Sequence, residues 1–378
     1  MRLDDACSAI VDCEHKTAPI TPGGKYYAVG TPAMQGNAID YSQAREISRD
    51  TFDQWTQRLV PESGDLLFAR EAPVGPIVRI PSSLNVAPGQ RTVLLRPKPS
   101  VTDSSYLYYR MISPVVQRRI SEVSMGSTVA HLNVADIRSL DIDIPPLPEQ
   151  QAIAEVLGAL DDKIAANRNL RSTIRSFGST ITQRTTLTSG VPATIDDIAM
   201  FSNRKRIPLS ASQRELRPGT VPYWGANGRM GWVDEPIFNE QLVLVGEDGS
   251  VVTDAGTPVI HNVWGPCWVN NHAHVLTGTS VSTDLLYFLM RSAQIAAKVT
   301  GAVQPKLSMT NLKSVELRIP AKEDLGTLEA TIQPLMARYR QAAEESQTLA
   351  SLRDTLLPAL MDGTIRVKDA ERLTEEAV

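Results

Sequence analysis

Cysteine is scarce in this chain. Cys7, Cys13 and Cys267 are the only three in 378 residues, an odd number without C-x-x-C spacing, which excludes a disulfide framework or a zinc ribbon and reads as reduced thiols. Aromatic residues make up 5%. No stretch reaches the roughly 18 uninterrupted apolar residues that a membrane helix needs, and the opening MRLDDACSAI carries charges where a secretory leader would have an apolar core. A cytoplasmic protein is expected. Catalytic signatures are missing too: there is no G-x-x-x-x-G-K-[ST], no strand-following G-x-G-x-x-G, no G-x-S-x-G, no H-E-x-x-H and no Asn-Pro-Pro-Tyr or Asp-Pro-Pro-Tyr tetrapeptide. Nucleotide hydrolysis, dinucleotide binding and amino-methyl transfer therefore have no visible site on this chain.

What is present is an ordinary core-forming composition. Hydrophobic residues reach 42% and charged residues 21%, which excludes disorder for most of the chain and suits two or three domains. The net charge of −4 argues against coating nucleic acid by bulk charge. The excess acid is local: residues 323–378 hold 11 acidic against 6 basic side chains. Basic clusters remain elsewhere, such as Arg91, Arg96 and Lys98, or Arg204, Lys205 and Arg206.

The chain repeats itself. GSTVAHLNVADIRSLDIDIPP, Gly126 to Pro146, matches GAVQPKLSMTNLKSVELRIPA, Gly301 to Ala321, without a gap. Upstream, APGQRTVLL parallels WVNNHAHVL, and SYLYYRMISPVVQRRI parallels DLLYFLMRSAQIAAKV. Self-similarity of this kind marks a tandem duplication. Within each half, short β-rich runs such as DLLFAR and QLVLVGE are divided by Gly and Pro turn signals. One helix per half is predicted near Ser104–Ile120 and Ser282–Val299, giving an α+β domain.

After each Ile-Pro the period becomes helical. Ile153, Leu157, Leu160 and Ile164 recur at spacings of three and four, with Asn167 on the same seam, and Leu328, Leu335, Leu349 and Leu356 keep a heptad in the second segment. Helices of about 35 residues are roughly 50 Å long. Neither buries its stripe alone, so the two are expected to pair as an antiparallel coiled coil, with a kink or a local end at Pro334; the alternative is that each belongs to a separate domain core. Two similar domains spaced by such a pair would suit a reader of two DNA half-sites.

Candidate contact residues lie in the polar, Gly-punctuated loops. In the first half they are Lys16, Thr17, Arg70, Gln90 and Arg91, with Glu14, His15 and Glu71 beside them. In the second half Tyr223, Trp224, Asn227 and Arg229 fall in VPYWGANGRMGWVDE, while Asn270, Asn271 and His272 open a strand. Such side chains stack on bases or bond their edges; equally, Trp232 and its neighbours suit a hairpin packed into the core, and Arg70–Glu71 suit a structural pair. His272 and His274 lie on one face of a strand near Cys267, but the further ligands that a metal site needs are not identifiable.

These residues also carry a family resemblance. DIDIPPLPEQQAIAEVLGALDDKIAANRNL, GDLLFAREAPVG, GQRTVLLRP, YWGANGRMGWVDE and the ending LRDTLLPALMDGTIRV resemble the DNA specificity subunit of type I restriction-modification systems, in order and spacing, over nearly the whole chain. The resemblance implies two target recognition domains, 1–146 and 189–321, separated by helices 147–188 and 322–362 and followed by a tail, 363–378. It implies a non-catalytic subunit that reads a bipartite, gapped sequence in double-stranded DNA and docks modification subunits, two per chain, and restriction subunits. S-adenosylmethionine, ATP and Mg are then expected on those partners and none on this chain. The second linker departs from the family pattern, with PAKEDLG where a PLPEQ-like phrase often recurs. The rival reading from another class is a coiled-coil scaffold that binds proteins without DNA specificity.

Overall fold

A computed structural model describes residues 1–83, 85–124, 130–301 and 304–377. The repeated segments at Gly126–Val129 and Ala302–Val303, and Val378 of the tail, lie outside the described residues. The chain divides into two compact units, residues 1–166 with 345–378, and residues 167–344.

In the first unit the order is α1 (Leu3–Ala6), β1 (Cys7–Asp12), β2 (Tyr26–Val29), β3 (Arg45–Ile47), α2 (Arg49–Trp55), β4 (Leu66–Arg70), β5 (Val74–Arg79), β6 (Val86–Pro88), β7 (Thr92–Pro97), α3 (Ser104–Ile112), α4 (Pro114–Ser124) and α5 (Val134–Ser139). The long α6 (Leu147–Ser189) follows and continues into the second unit. An antiparallel sheet runs β1-β7-β4-β5, and a smaller one runs β3-β2-β6 with β2 and β6 parallel. The apolar run Leu66–Ala69 is explained by burial on both faces. Leu66 and Phe68, with Val93 and Leu95, join one core, whereas Leu67 and Ala69, with Leu94, join another. A period of two with apolar residues at every position is what a strand covered on both sides requires.

The second unit holds β8 (Val191–Thr194), α7 (Ile195–Ile198), β9 (Ala199–Phe201), α8 (Ala211–Glu215), β10 (Val221–Gly225), β11 (Gly228–Val233), β12 (Phe238–Asn239), β13 (Leu242–Gly246), β14 (Ile260–Val263), β15 (Pro266–Val269), β16 (Ala273–Gly278), α9 (Thr283–Ser292), α10 (Met309–Lys313) and β17 (Glu316–Ile319). Its sheet β14-β13-β16-β9 divides in the same way, Val243, Val245 and Leu276 on one core and Leu242, Leu244 and Val275 on the other. A second sheet runs β11-β10-β15-β12 with β10 and β15 parallel, as β2 and β6 are in the first unit. Two strands, β8 and β17, pair antiparallel. The mixed α/β character expected from the sequence is thus present in both units.

The last helices are α11 (Lys322–Met361) and α12 (Val367–Glu375). Within the first unit Ile153, Leu157 and Leu160 share a core with Leu349 and Leu356, Ile164 packs against it, and Lys163–Glu345 and Asp161–Arg353 pair at 3.2 and 2.8 Å. Within the second unit Leu328 and Ile332 join Ile174, Leu335 packs beside them, and the Arg171 guanidinium lies 4.7 Å from the centre of the Tyr339 ring. In both, rising α6 numbers meet falling α11 numbers, so the segments pair antiparallel. The heptad residues also belong to the cores of the units themselves, so each unit buries its own stretch of both helices. Asn167 is 2% exposed on the seam.

Three local details differ from the sequence reading. The helix predicted over 104–120 is two: Ser113 is extended before Pro114, whose ring disfavours a helical residue ahead of it, and Pro114 then starts α4. The helix predicted over 282–299 ends at Ser292, because buried Ile295 turns away to donate its N–H to Gly256 O. At Pro334 the helix does not end, which removes the local-end alternative. Pro334 and Ala330 are both exposed, which leaves the freed Ala330 carbonyl open to water, while Ile332 and Met336 hold the opposite face.

Candidate nucleic-acid interface

In the first unit, the parallel pairing of β2 with β6 brings two loops together. Gly89 donates its N–H to Val29 O at 2.9 Å, and a Cβ on Gly89 would stand 2.4 Å from Gly30 N. Only a residue without a side chain allows that approach. A Gly89→Ala chain is therefore expected to lose about 1–3 kcal/mol of stability through overpacking, read as a lower urea midpoint; an unchanged midpoint would show that the loops yield freely.

Beyond Gly89 the chain turns outward. Arg91 adopts φ 69°, a conformation rare for a residue with a side chain, and is held there as its carbonyl accepts from Arg70 N at 3.0 Å. Gln90 and Arg91 are exposed. The Thr17 hydroxyl donates to Gln90 Oε1 at 3.1 Å, and Arg91 Nε pairs with Glu71 at 3.4 Å. Thr17, Gln43, Arg45, Gln90 and Arg91 line one cavity of about 160 Å³. Lys16 is exposed beside Thr17. The sequence reading missed Gln43 and Arg45, which arrive through the β2–β3 pairing and carry no local signal.

Arg70 has a different place. Its side chain is 13% exposed, pairs with Asp12 at 3.4 Å and donates to Leu132 O at 3.1 Å. It braces the sheet end, a structural role, but its acid is Asp12 and not the expected Glu71, which pairs with Arg91 instead.

The second unit repeats this frame bond for bond. Asn270 N donates to Trp224 O at 2.9 Å as Gly89 N does to Val29 O, and Glu247 N donates to His272 O at 2.8 Å as Arg70 N does to Arg91 O. Leu132 N to Arg70 O and Leu307 N to Glu247 O, both 2.9 Å, complete the match. Asn271 and His272 thus stand where Gln90 and Arg91 stand, both exposed, and His272 Nδ1 meets Asp248 at 3.2 Å as Arg91 meets Glu71. The bracing pair is inverted in sign. Glu247 occupies the place of Arg70 and pairs with Arg206 at 2.7 Å. Arg206, absent from the chosen candidates, was visible only as part of a basic cluster.

The remaining candidates separate by burial. Tyr223 is 1% exposed, and its hydroxyl accepts from Leu209 N at 3.0 Å, so it is a core residue of the β10–β11 hairpin. Asn270 is also buried, its Oδ1 accepting from His272 N. Trp224 is half-buried, its ring 5.6 Å from that of His261. Asn227 and Arg229 are exposed at the hairpin tip, and Trp232, expected in the core, is instead exposed with Arg229 stacked 4.4 Å over its ring. On β11, the edge strand of its sheet, the guanidinium covers part of that ring.

The histidines do not converge on a metal. Buried His274 accepts from Asn203 at Nδ1 and donates from Nε2 to Leu307 O, and burial pushes its pKa down, which keeps the ring neutral. Cys267 lies in a separate core, where burial pushes its thiol up to about 12. Among the described residues no group of three or more His, Cys, Asp or Glu could hold a metal ion, and no helix is long and apolar enough to cross a membrane.

Comparison with known proteins follows the same two-part division. The model of the type I restriction modification DNA specificity domain matches residues 2–176 and again 191–339. A type I restriction enzyme specificity subunit from Methanocaldococcus jannaschii is 22% identical over 375 residues, covering 86% of this chain and 83% of that one. A putative type I restriction enzyme specificity subunit from Haemophilus influenzae is 29% identical over 127 residues, 33% of this chain and 32% of that one. Among solved structures, a type I restriction-modification S subunit from M. genitalium aligns over 95% of both chains at a TM-score of 0.57 and 19% identity, a likeness of fold.

Proposed function

Since this chain belongs to the type I restriction-modification DNA specificity family, a non-catalytic class that recognises DNA sequence, we propose that each unit reads one half of a bipartite, gapped target in double-stranded DNA. The observation that carries this reading is the repeated frame, which presents Gln90–Arg91 in one unit and Asn271–His272 in the other. Exposed Lys16, Arg45 and Lys205 have the charge to hold phosphates, which positions the protein without reading sequence. Polar side chains at the loop tips then meet base edges.

The proposal extends to partners. The chain docks modification subunits, two per chain, and restriction subunits. S-adenosylmethionine belongs to the modification subunits, and ATP with Mg to the restriction subunits. The heptad side chains Ile153, Leu157, Leu160, Leu328, Leu349 and Leu356 are buried inside their own units, so docking falls to the outward faces of α6 and α11. Those heptad residues hold the helices that present the faces.

Salt dependence tests the DNA reading against the scaffold reading. The complex with modification subunits is expected to bind its duplex target with an affinity that falls linearly on a log–log plot against salt. Lys16→Ala is expected to weaken binding uniformly across sequences and to reduce the slope by about 1. Fluorescence anisotropy over 50 to 200 mM salt measures both; a flat salt plot with no sequence preference would favour the protein scaffold.

A further inference from the structure

We propose that Gln90 and Asn271 are the paired base readers of the two units, each placing one carboxamide on an adenine in its own half-site. The inference rests on the proposed DNA-reading function and assigns residues and a base class to it.

Position is the first argument. Each carboxamide follows a residue whose N–H is bonded to the last or next-to-last residue of a parallel neighbour strand, Val29 O or Trp224 O, and precedes a residue whose carbonyl is bonded to a sheet-end N–H, that of Arg70 or Glu247. A side chain fixed between two such backbone bonds stands on rigid support, as a reader needs. The same frame occurs in both units although the side chains on it differ. A purely structural role would have no need of exposed carboxamides at matching places, whereas a duplicated reader does.

Chemistry is the second. The following residue carries a charge or a titratable ring in each case, and an acid meets it in each case: Glu71 against Arg91 at 3.4 Å and Asp248 against His272 at 3.2 Å. Each acid pairs with that neighbour, so hydrogen-bond geometry, not charge, dominates at residues 90 and 271. The Thr17 hydroxyl donates to Gln90 Oε1, which orients the amide and leaves a second lone pair on Oε1 and both Nε2 hydrogens without a partner among the described residues. The Asn271 carboxamide makes no hydrogen bond within the described residues. An acceptor beside a donor is the complement of adenine N6–H and N7 in the major groove. The neighbouring Asn270 is excluded from this role, because it is buried with its Oδ1 already bonded to His272 N.

The test uses the purified complex with modification subunits and duplexes in which each base pair of the mapped target is replaced in turn. With the wild-type chain, replacing one particular adenine in each half-site is expected to cost about 5- to 150-fold in affinity, the range of one bidentate contact. Gln90→Ala is expected to abolish that discrimination at one position of the first unit's half-site and to leave the other half-site intact; Asn271→Ala is expected to do the reverse. The unaffected half-site reports that the variant is folded. Should either alanine variant fail to assemble, the isosteric Gln90→Glu and Asn271→Asp decide: a carboxylate accepts from cytosine N4, so preference at that position should move from adenine to cytosine. Unchanged discrimination in the variants, or loss spread over both half-sites in a complex that melts normally, overturns the pairing. A wild-type complex with no bipartite preference would instead overturn the function on which it rests.

Discussion

A chain ending at Glu344 is expected to lose the folded state of residues 1–166 while residues 167–344 remain folded. The reason is that the first unit is closed by the end of the chain. Leu349, Leu356, Leu357, Leu360 and Met361 are each at most 9% exposed and share one core with Ile153, Leu157 and Leu160. At about 1.5–3 kcal/mol for each large side chain, their removal forfeits about 8–15 kcal/mol, as much as the entire stability of an ordinary domain. Polar losses add to this. Arg110, 2% exposed, loses Met361 O as an acceptor, and Asp161 keeps Tyr109 but loses Arg353. Hydrogen exchange should show amides of β4 and β7 unprotected and those of β13 and β16 still slow; equal protection in both sheets would mean that residues 345–378 are dispensable.

The largest expected single-residue effect lies in the second unit. Asp284, in the first turn of α9, is 4% exposed and receives Arg340 of α11 through two bonds of 2.7 and 3.1 Å. Asp284→Ala strands a guanidinium that is 15% exposed. Losing one partner of a buried pair costs about 3–5 kcal/mol, which for a unit of this size lowers Tm by about 6–20 °C. The cost belongs to the stranded charge, so Asp284→Leu combined with Arg340→Met should recover most of it. At the surface the contrast is sharp: Arg49 and Asp53 are 65% and 53% exposed, and Asp53→Ala should cost under about 1 kcal/mol. Calorimetry on the three variants decides; equal effects of Asp284→Ala and Asp53→Ala would contradict the burial argument.

The duplication and the long helices were legible because they are written as repetition. A gapless match, a period of two in the strands and a heptad in the helices survive any choice of loop residue. The periodicity told which face of α6 and α11 is apolar, but not that residues 345–361 close the first unit and 322–344 the second, since a heptad specifies a seam and not its neighbours. The site was half legible. Gln90–Arg91 and Asn271–His272 fell in segments already matched by sequence, whereas Tyr223 looked like a loop aromatic and is core, and Trp232 looked like core and is exposed. In both cases the hairpin's one covered face decided, and alternation in a Gly-rich strand is too weak to show it. The bracing pair was hidden by its inversion: Arg70 with Asp12 and Glu247 with Arg206 are one device with the charges exchanged, and no residue-by-residue match detects that.

The central claim, that one chain reads two half-sites through two copies of one frame, is tested most directly by co-expressing it with its modification subunits and mapping methylated adenines across the genome by single-molecule sequencing. The account predicts a single motif of two specified parts separated by a fixed unspecified gap, with Gln90→Ala relaxing one part alone. A continuous motif, or no new methylation from a stable complex, would contradict it.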